Sequence, residues 1–451
     1  MADVVALHRM ESIEERQKHF KSLIQKEAPG VAEDGTIFDF GRIDPQTYAR
    51  SCEALIGQVA IPVGIVGPLD LHYRVYEEDE AGELIEKGAV QSDSFFIPMG
   101  THEGGLNASL NRGIKAANQS GGIHTYLLST SMTRGSCYVF ATSEQAYIFS
   151  KWVKQNTRDM KAWLEDPQNP FRDAELKGIP LLSRYARLLE TSTYLVSNTC
   201  HTVFKYTTGD ASGQNMTTRN TYMLHSHFIL PRFHQDTGIS PSSFFLEANT
   251  GGDKKPSHLY HIQGGHGKTV IASVILSEKA MVETLKCTVE DALKLREVGG
   301  EGAALSGMVG VSCNPANVIA AIFAATGQDL ACVGTSSMAL ASSTECPEGL
   351  HCTLRLPNLE VGTVGGGTGL PHQSRYLEVM QCRGHGSAGK FAQIVTAAAL
   401  CLELSTTSAM AAAGSFSFYT AHLERGGMKR AHRPAHVAES LVTQLKEGKT
   451  K

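Results

Sequence analysis

The chain has 451 residues, 42% of them hydrophobic and 19% charged, with a formal net charge of −4. This is ordinary globular composition, and the length argues for two or three domains. So small a net charge excludes the electrostatic footprint of a nucleic-acid or anionic-membrane binder. No run of about 18 apolar residues suggests a membrane span, and Met1 to Arg9 lacks the apolar core and cleavage site of a signal peptide. The 10 cysteines are scattered without a C-x-x-C pair. They read as reduced thiols of a soluble cytoplasmic protein rather than a disulfide or zinc framework, so no metal is expected.

Residues 10–27 carry an apolar stripe (Ile13, Phe20, Leu23, Ile24) that predicts an amphipathic helix, and 46–57 reads as a short helix ending at Gly57. An extended run broken by Pro and Gly follows from Val59 to Leu69, then strands over 71–76 and 83–96 and a helix over 106–118. Residues 124–140 are β-rich and 143–164 strongly amphipathic. Strands near 179–190 and 201–207 and a helix near 216–230 complete a block that alternates strand and helix, as a small α/β domain would. Beyond it the pattern predicts a strand over 270–276, helices over 282–297, 315–326 and 387–413, and an extended stretch over 353–364. The last 25 or so residues read as a mobile tail.

Several stretches contain residue types suited to chemistry. Glu247-Ala-Asn-Thr-Gly-Gly-Asp-Lys-Lys-Pro256 sets two lysines on a loop stiffened by a glycine turn and a proline. Alone this is the composition of a solvated surface loop; with partners it can hold an ammonium where negative charge develops. Asp329 follows the helix 315–326, whose Asn314 and Gly327 suit its two caps. A carboxylate at a helix C-terminus is disfavoured unless a cation offsets it, and the Asp-Lys-Lys loop could supply one. Glu103, in a glycine-rich turn before a helix, suits either an N-terminal cap or a proton donor. The glycine loops 209–216 and 362–368 could cradle phosphates with backbone N–H groups, yet neither is a G-x-G-x-x-G or a P-loop. Ser183-Arg184 pairs a hydroxyl with a guanidinium, as suits a phosphate monoester, though taken alone it is more commonly an ordinary surface pair. His422, near the end, has the pKa range for proton delivery from a movable segment.

In order, the segments Cys52-Glu-Ala-Leu-Ile-Gly57, Pro62 to Leu69, Pro98-Met-Gly-Thr-His-Glu-Gly104, Met132-Thr-Arg-Gly135, Gly209-Asp-Ala-Ser-Gly-Gln-Asn215, Asp253-Lys-Lys-Pro256, Gly327-Gln-Asp329 and Gly362 to Thr368 resemble the soluble catalytic portion of hydroxymethylglutaryl-CoA reductases of the eukaryotic, NADPH-using class, without their membrane anchor. The resemblance runs from about Cys52 to His422. It implies an α/β (α+β) fold: a large domain over 51–135 and 246–425, a small ferredoxin-like NADPH domain inserted at 136–245, an N-terminal helical segment over 1–50 and a tail over 426–451. It implies a homodimer or homotetramer with active sites at the interface, and reduction of an acyl-CoA thioester to an alcohol in isoprenoid or mevalonate metabolism.

The same resemblance assigns roles. Lys254 would stabilise the oxyanion, Asp329 would hold Lys254, Glu103 would protonate the aldehyde oxygen and His422 the departing CoA thiolate. Ser183 and Arg184 would bind the 2′-phosphate of NADPH, and Asp210, Gly213 and Asn215 would line the cofactor loop. Arg134 and Lys255 would face the substrate's acyl end, with Asn317 supporting the network.

The sequence also departs from the family. Counting back from Asp253, the serine of the carboxylate clamp is Glu247; counting back from Asn317, its lysine is Glu297. Both changes are acidic, so an anionic acyl chain would be repelled unless Lys294 or Arg296 replaced the clamp. Asn314 stands where the family has a histidine, Ser212 and Gln214 where it has methionines, and His422 lies about three residues late. A working reductase and a repurposed relative with a less anionic ligand, catalytic or not, are both compatible with this pattern.

Overall fold

The computed structural model describes residues 51–79 and 82–412, with shorter stretches before them at 10, 12–25, 33, 38, 41 and 43–49. His422 and the segment 426–451 lie outside the described residues.

The first helix, α1 (Ile13–Ile24), starts where the Ser12 hydroxyl accepts from the Glu15 N–H. Ile13 is buried with Leu55 and Tyr48 in a small cluster of their own. The helix expected over 46–57 is only a single 3₁₀ turn, Pro45–Thr47, started by Asp44. Among the described residues there, Leu55 is buried and Tyr48 only partly so, which is too little apolar surface to hold a longer helix.

The long hairpin of β1 (Val63–Glu78) and β2 (Leu84–Gly100) is antiparallel. Leu69, Leu71 and Tyr73 on one strand and Phe95, Ile97 and Met99 on the other recur with period two and bury one face. Helix α2 (Leu106–Gln119) packs on that face, and β3 (Ile123–Val139) returns beside β1 as a parallel neighbour. Strand β3 organises the molecule because it serves two sheets. Its first half pairs with the strand Gly267–Ser277, and its second half, from Met132, pairs with the strand Thr199–Tyr206.

The second half of β3 starts a βαββαβ succession. Helix α3 (Ser143–Glu165) is followed by the two-residue pair β4 (Glu175–Leu176) and β5 (Ile179–Pro180), then by the hairpin β6 (Leu188–Val196) and β7 (Thr199–Tyr206). Helix α4 (Gln214–Leu224) continues through one π turn into α5 (Leu230–Thr237), and β8 (Ser243–Phe245) closes on β3. The strand order β6-β7-β3-β8 is the ferredoxin-like arrangement. Its own aromatic core includes Tyr138, Phe149, Trp152, Phe204 and Phe233. The strand expected over 179–190 lies later, at 188–196. Pro180 offers no N–H, and Asn220 holds 183–186 as a loop by bonding the backbone of Ser183 and Ala186.

The chain then passes through α6 (His258–Gln263) to β9 (Gly267–Ser277) and α7 (Glu278–Ala280). The single helix expected over 282–297 is divided. A π turn, Met281–Leu285, ends at Lys286 with φ 61°, and α8 (Val289–Ser306) restarts where Thr288 caps Asp291. A Thr-x-x-Asp start outcompetes helix continuation, because the side chain satisfies a first-turn N–H. Helix α9 (Pro315–Thr326) and the short α10 (Val333–Ser336) precede the hairpin β10 (Leu340–Cys346) and β11 (Gly349–Leu359). Strand β10, Leu-Ala-Ser-Ser-Thr-Glu-Cys, carries no period-two apolar signal. The large sheet runs β10-β11-β9-β3-β1-β2.

Helix α11 (Pro371–Val379) leads to α12 (Ala388–Ala411), which lies in the middle of the large core. By length and composition α12 could cross a membrane, but 78% of its apolar window is buried within this fold. Its small residues allow close approach: a Cβ on Gly113 of α2 would stand 1.8 Å from the Cys401 carbonyl oxygen. Gly113→Ala should therefore push the two helices apart, costing about 1–3 kcal/mol by overpacking. A urea unfolding midpoint equal to wild type would contradict that packing.

Candidate active site

The segment 247–256 is anchored at both ends and strained in the middle. Gly252, at φ 81°, lies against the Tyr260 ring, where a Cβ would come within 2.6 Å. The Tyr260 hydroxyl donates to the Thr250 carbonyl at 2.6 Å, and Ser257 caps α6. Lys254 itself has φ 57°, a left-handed conformation unfavourable for a side chain with a Cβ and one that clusters at functional sites. That backbone carries its Nζ to Asp329 Oδ2 at 2.7 Å.

Asp329 follows α9 and also accepts the Ala331 N–H at 3.0 Å. Partial burial pushes its pKa up, but the bonds from Lys254 and Ala331 outweigh that and hold it below the ordinary value. Lys254 moves the other way: the hydrogen bond to Asp329 raises its pKa against desolvation. The ammonium therefore stays charged throughout the neutral range, and the cation sought for Asp329 is in place.

Glu103 is not the cap of α2. Gly105 takes that position with φ 84° and no side-chain bond. The Glu103 carboxylate instead accepts from Asn317 Nδ2 at 2.6 Å, in the first turn of α9. Asn314 occupies the N-cap of α9 without capping it, and its amide donates to Thr406. The N–H groups of Cys313 and Asn314 are taken by the buried Glu403. Helix α9 has 12 residues, so its two ends stand about 18 Å apart. The Glu103–Asn317 pair and the Lys254–Asp329 pair thus sit at opposite ends of one helix.

The glycine loops meet each other. A Cβ on Gly362 would strike Ser212 N at 2.7 Å, the Thr363 N–H donates to the Asp210 carbonyl, and Gln328 exchanges two bonds with Gly362. Asp210 accepts the N–H groups of Gly386 and Ala388 at the start of α12. Gly213 starts α4 with φ 104° against Thr208, and Asn215 is exposed in its first turn. Ser183 and Arg184 line a cleft with Arg172 and Arg219, where Arg184 is paired with the exposed Asp173.

Arg134 is buried, with both terminal nitrogens engaged and Nε left without a partner. Its Nη1 donates to Glu247 Oε2 at 2.8 Å and lies 3.5 Å from Asp253 Oδ2, while Nη2 donates to the Gln214 carbonyl. The second Glu247 oxygen accepts the Asn249 N–H. Glu247 therefore acts by occupying the guanidinium, rather than as a free repelling charge. Lys255 is exposed on the same loop, and Glu297 is exposed on α8.

Residues 12–426 match the family model described as Hydroxymethylglutaryl-coenzyme A reductase. The chain belongs to the hydroxymethylglutaryl-coenzyme A reductase family. A 3-hydroxy-3-methylglutaryl-coenzyme A reductase of Pyrococcus horikoshii is 33% identical over 82% of this chain and 83% of its own length. One from Aeropyrum pernix is 33% identical over 87% and 85%. The fold is also that of a class II reductase from Streptococcus pneumoniae solved with NADPH, with a TM-score of 0.58, 15% identity, and coverage of 89% of this chain and 98% of that one.

Reading the sequence alone missed a buried group beneath this family site: His266, Glu360 and Thr133, with Asp253. Glu360 gave the available signal, as a carboxylate in the apolar stretch that ends β11, where burial demands a partner.

Proposed function

We propose that this family member is an NADPH-dependent reductase that takes an acyl-CoA thioester, hydroxymethylglutaryl-CoA or a close analogue, to the alcohol, which for hydroxymethylglutaryl-CoA is mevalonate. The observation that carries this reading is the Lys254–Asp329 pair, an ammonium kept charged and held on a left-handed loop.

In the first step a hydride from one NADPH adds to the thioester carbonyl, and Lys254 stabilises the oxygen as it gains negative charge. The hemithioacetal then loses CoA as a thiolate, to which His422 supplies a proton, leaving an aldehyde. A second NADPH delivers a second hydride to that aldehyde, and Glu103 protonates its oxygen. Two NADPH and two protons are consumed for each alcohol and free CoA thiol formed. Ser183, with Arg184 released from Asp173, binds the 2′-phosphate of NADPH. Gly213 and Asn215 meet the cofactor from the start of α4, where backbone N–H groups favour an anion. Asp210 supports that loop by tying it to α12.

One carbonyl cannot meet both ends of α9 in a single chain. A homodimer, with Glu103 and Asn317 from one protomer facing Lys254 and Asp329 of the other, resolves the 18 Å separation (about three turns and a half of helix). The N-terminal helical segment, the inserted 136–245 domain and the large domain of 51–135 and 246–425 are assigned on the same reading. The free cysteines fit a reducing, cytoplasmic setting.

A second reading is favoured by one contact. Arg134, expected at the acyl end, is occupied by Glu247. That supports a substrate whose acyl chain carries less negative charge than hydroxymethylglutarate, or a ligand bound without reduction.

The purified protein should oxidise two NADPH per thioester consumed when offered hydroxymethylglutaryl-CoA and a panel of neutral acyl-CoAs. Tight NADPH binding without turnover of any thioester would overturn the reductase reading.

A further inference from the structure

Below the Lys254 loop lies a group of side chains that the proposed reaction does not use. Asp253, His266 and Glu360 each present a donor atom within 4.8 Å of the other two. His266 and Glu360 are almost wholly buried, at 0% and 1% exposure. Three of their polar atoms lack hydrogen-bond partners: His266 Nε2, Glu360 Oε1 and Asp253 Oδ1. Buried polar atoms left unpaired cost free energy, and three in one place call for a missing partner.

The hydrogen bonds around His266 specify which partner. The Thr133 hydroxyl donates to the Gly251 carbonyl at 2.6 Å, which uses its only proton. The 2.7 Å contact between Thr133 Oγ1 and His266 Nδ1 must then be donated by Nδ1–H. In the neutral ring this leaves a lone pair on Nε2, facing Glu360 Oε2 at 3.5 Å, a contact without hydrogen-bond geometry. A lone pair facing a carboxylate is repulsive unless a proton or a metal cation lies between them, and a proton on Nε2 would still leave Glu360 Oε1 and Asp253 Oδ1 without partners. Among the described residues, the cation bonded to this group is Arg134, and Glu247 takes its shorter bond. Lys254 is given to Asp329.

We infer that Asp253, His266 and Glu360 bind a divalent transition-metal ion of the zinc type. One imidazole nitrogen and two carboxylate oxygens form a borderline donor set suited to such an ion. Supporting contacts are present: Thr133 fixes the imidazole tautomer, and Gln214 Nε2 donates to Glu360 Oε2 at 2.7 Å. The donors need to close by about an ångström to reach metal bonds of ~2.0–2.2 Å. Because Asp253 precedes Lys254, the ion would fix the base of the loop that carries the ammonium.

The test uses the full chain freed of metal by dialysis against a chelator, then titrated with Co²⁺ and Zn²⁺. The expected result is about one equivalent per chain, a saturable visible absorption from Co²⁺ that Zn²⁺ abolishes, and a higher melting temperature with Zn²⁺. His266→Gln and Glu360→Gln should each weaken binding at least about tenfold, whereas the exposed His234→Gln should bind as wild type. Glu360→Gln keeps the side-chain volume, so it serves if His266→Gln does not fold. A wild-type chain with no saturable Co²⁺ signal and no Zn²⁺ stabilisation overturns the inference, as does undiminished binding by a folded Glu360→Gln chain. Those results leave the reductase reading untouched, and failure to oxidise NADPH leaves this one untouched.

Discussion

A Lys254→Ala chain should reduce its thioester about 10²–10³-fold more slowly, since it loses the cation placed at the developing oxyanion. The loss should fall on kcat, because an interaction made only as charge develops does not hold the ground state. Stability should change little: the Lys254 side chain is 44% exposed, and ion pairs so exposed contribute little to folding. A Glu103→Gln chain should be similarly impaired, for want of its proton. The informative experiment combines them. If each site draws Glu103 from one protomer and Lys254 from the other, a dimer of one Lys254→Ala and one Glu103→Gln chain contains one site with both groups intact. Random pairing should then restore about a quarter of wild-type activity. Co-expression with two affinity tags isolates that mixed dimer. A mixed dimer as inactive as its parents would show that the two ends of α9 do not cooperate across an interface.

The second large effect concerns Glu247. Its carboxylate holds Arg134 Nη1 at 2.8 Å, where the guanidinium would otherwise be open to an anionic acyl group. Glu247→Ser should free that donor. A charge-assisted bond is worth about 1.5–3 kcal/mol, so KM for hydroxymethylglutaryl-CoA should fall about 10- to 100-fold. KM for an acyl-CoA with a neutral chain should stay the same or rise. Glu247→Gln, which keeps the length but not the charge, should lie between the two. Equal KM shifts for anionic and neutral substrates would mean that Arg134 does not face the acyl end. The variant should also melt at a lower temperature, because Arg134 is buried and would keep only Asp253 and the Gln214 carbonyl.

The two predictions test different properties of one loop. Lys254 is presented outward on a left-handed residue, while Asp253 and Glu247 turn inward to Arg134. The positive φ at Lys254 divides the two directions, so on the proposed reading one short segment would serve both the chemistry and the acyl end.

Much of this was legible in the sequence because the relevant signals are local. Glycine and proline placement marked the loop 247–256, and Pro315 and Gly327 gave α9 its limits almost to the residue, although the Asn314 side chain does not cap it. The electrostatic cost of a carboxylate after a helix C-terminus called for a cation at Asp329, which Lys254 supplies. The strands read over 71–76 and 83–96 fall within β1 and β2, whose pairing as a hairpin was not read. Local signals failed where two of them competed. The Thr288 cap divided a continuous apolar pattern, and β10 had no pattern to read.

Tertiary structure alone decided the long-range pairings. Arg134 and Glu247 are 113 positions apart, and His266 and Glu360 are 94 apart. They meet because β3 serves two sheets and carries Thr133 and Arg134 through the point where the sheets diverge. The sequence by itself supplied the family, the reactive loop and the charge change at Glu247. It could not show that Glu247 would be neutralised by Arg134, because two charges far apart in the chain interact only after the sheets have brought them together and removed the water between them.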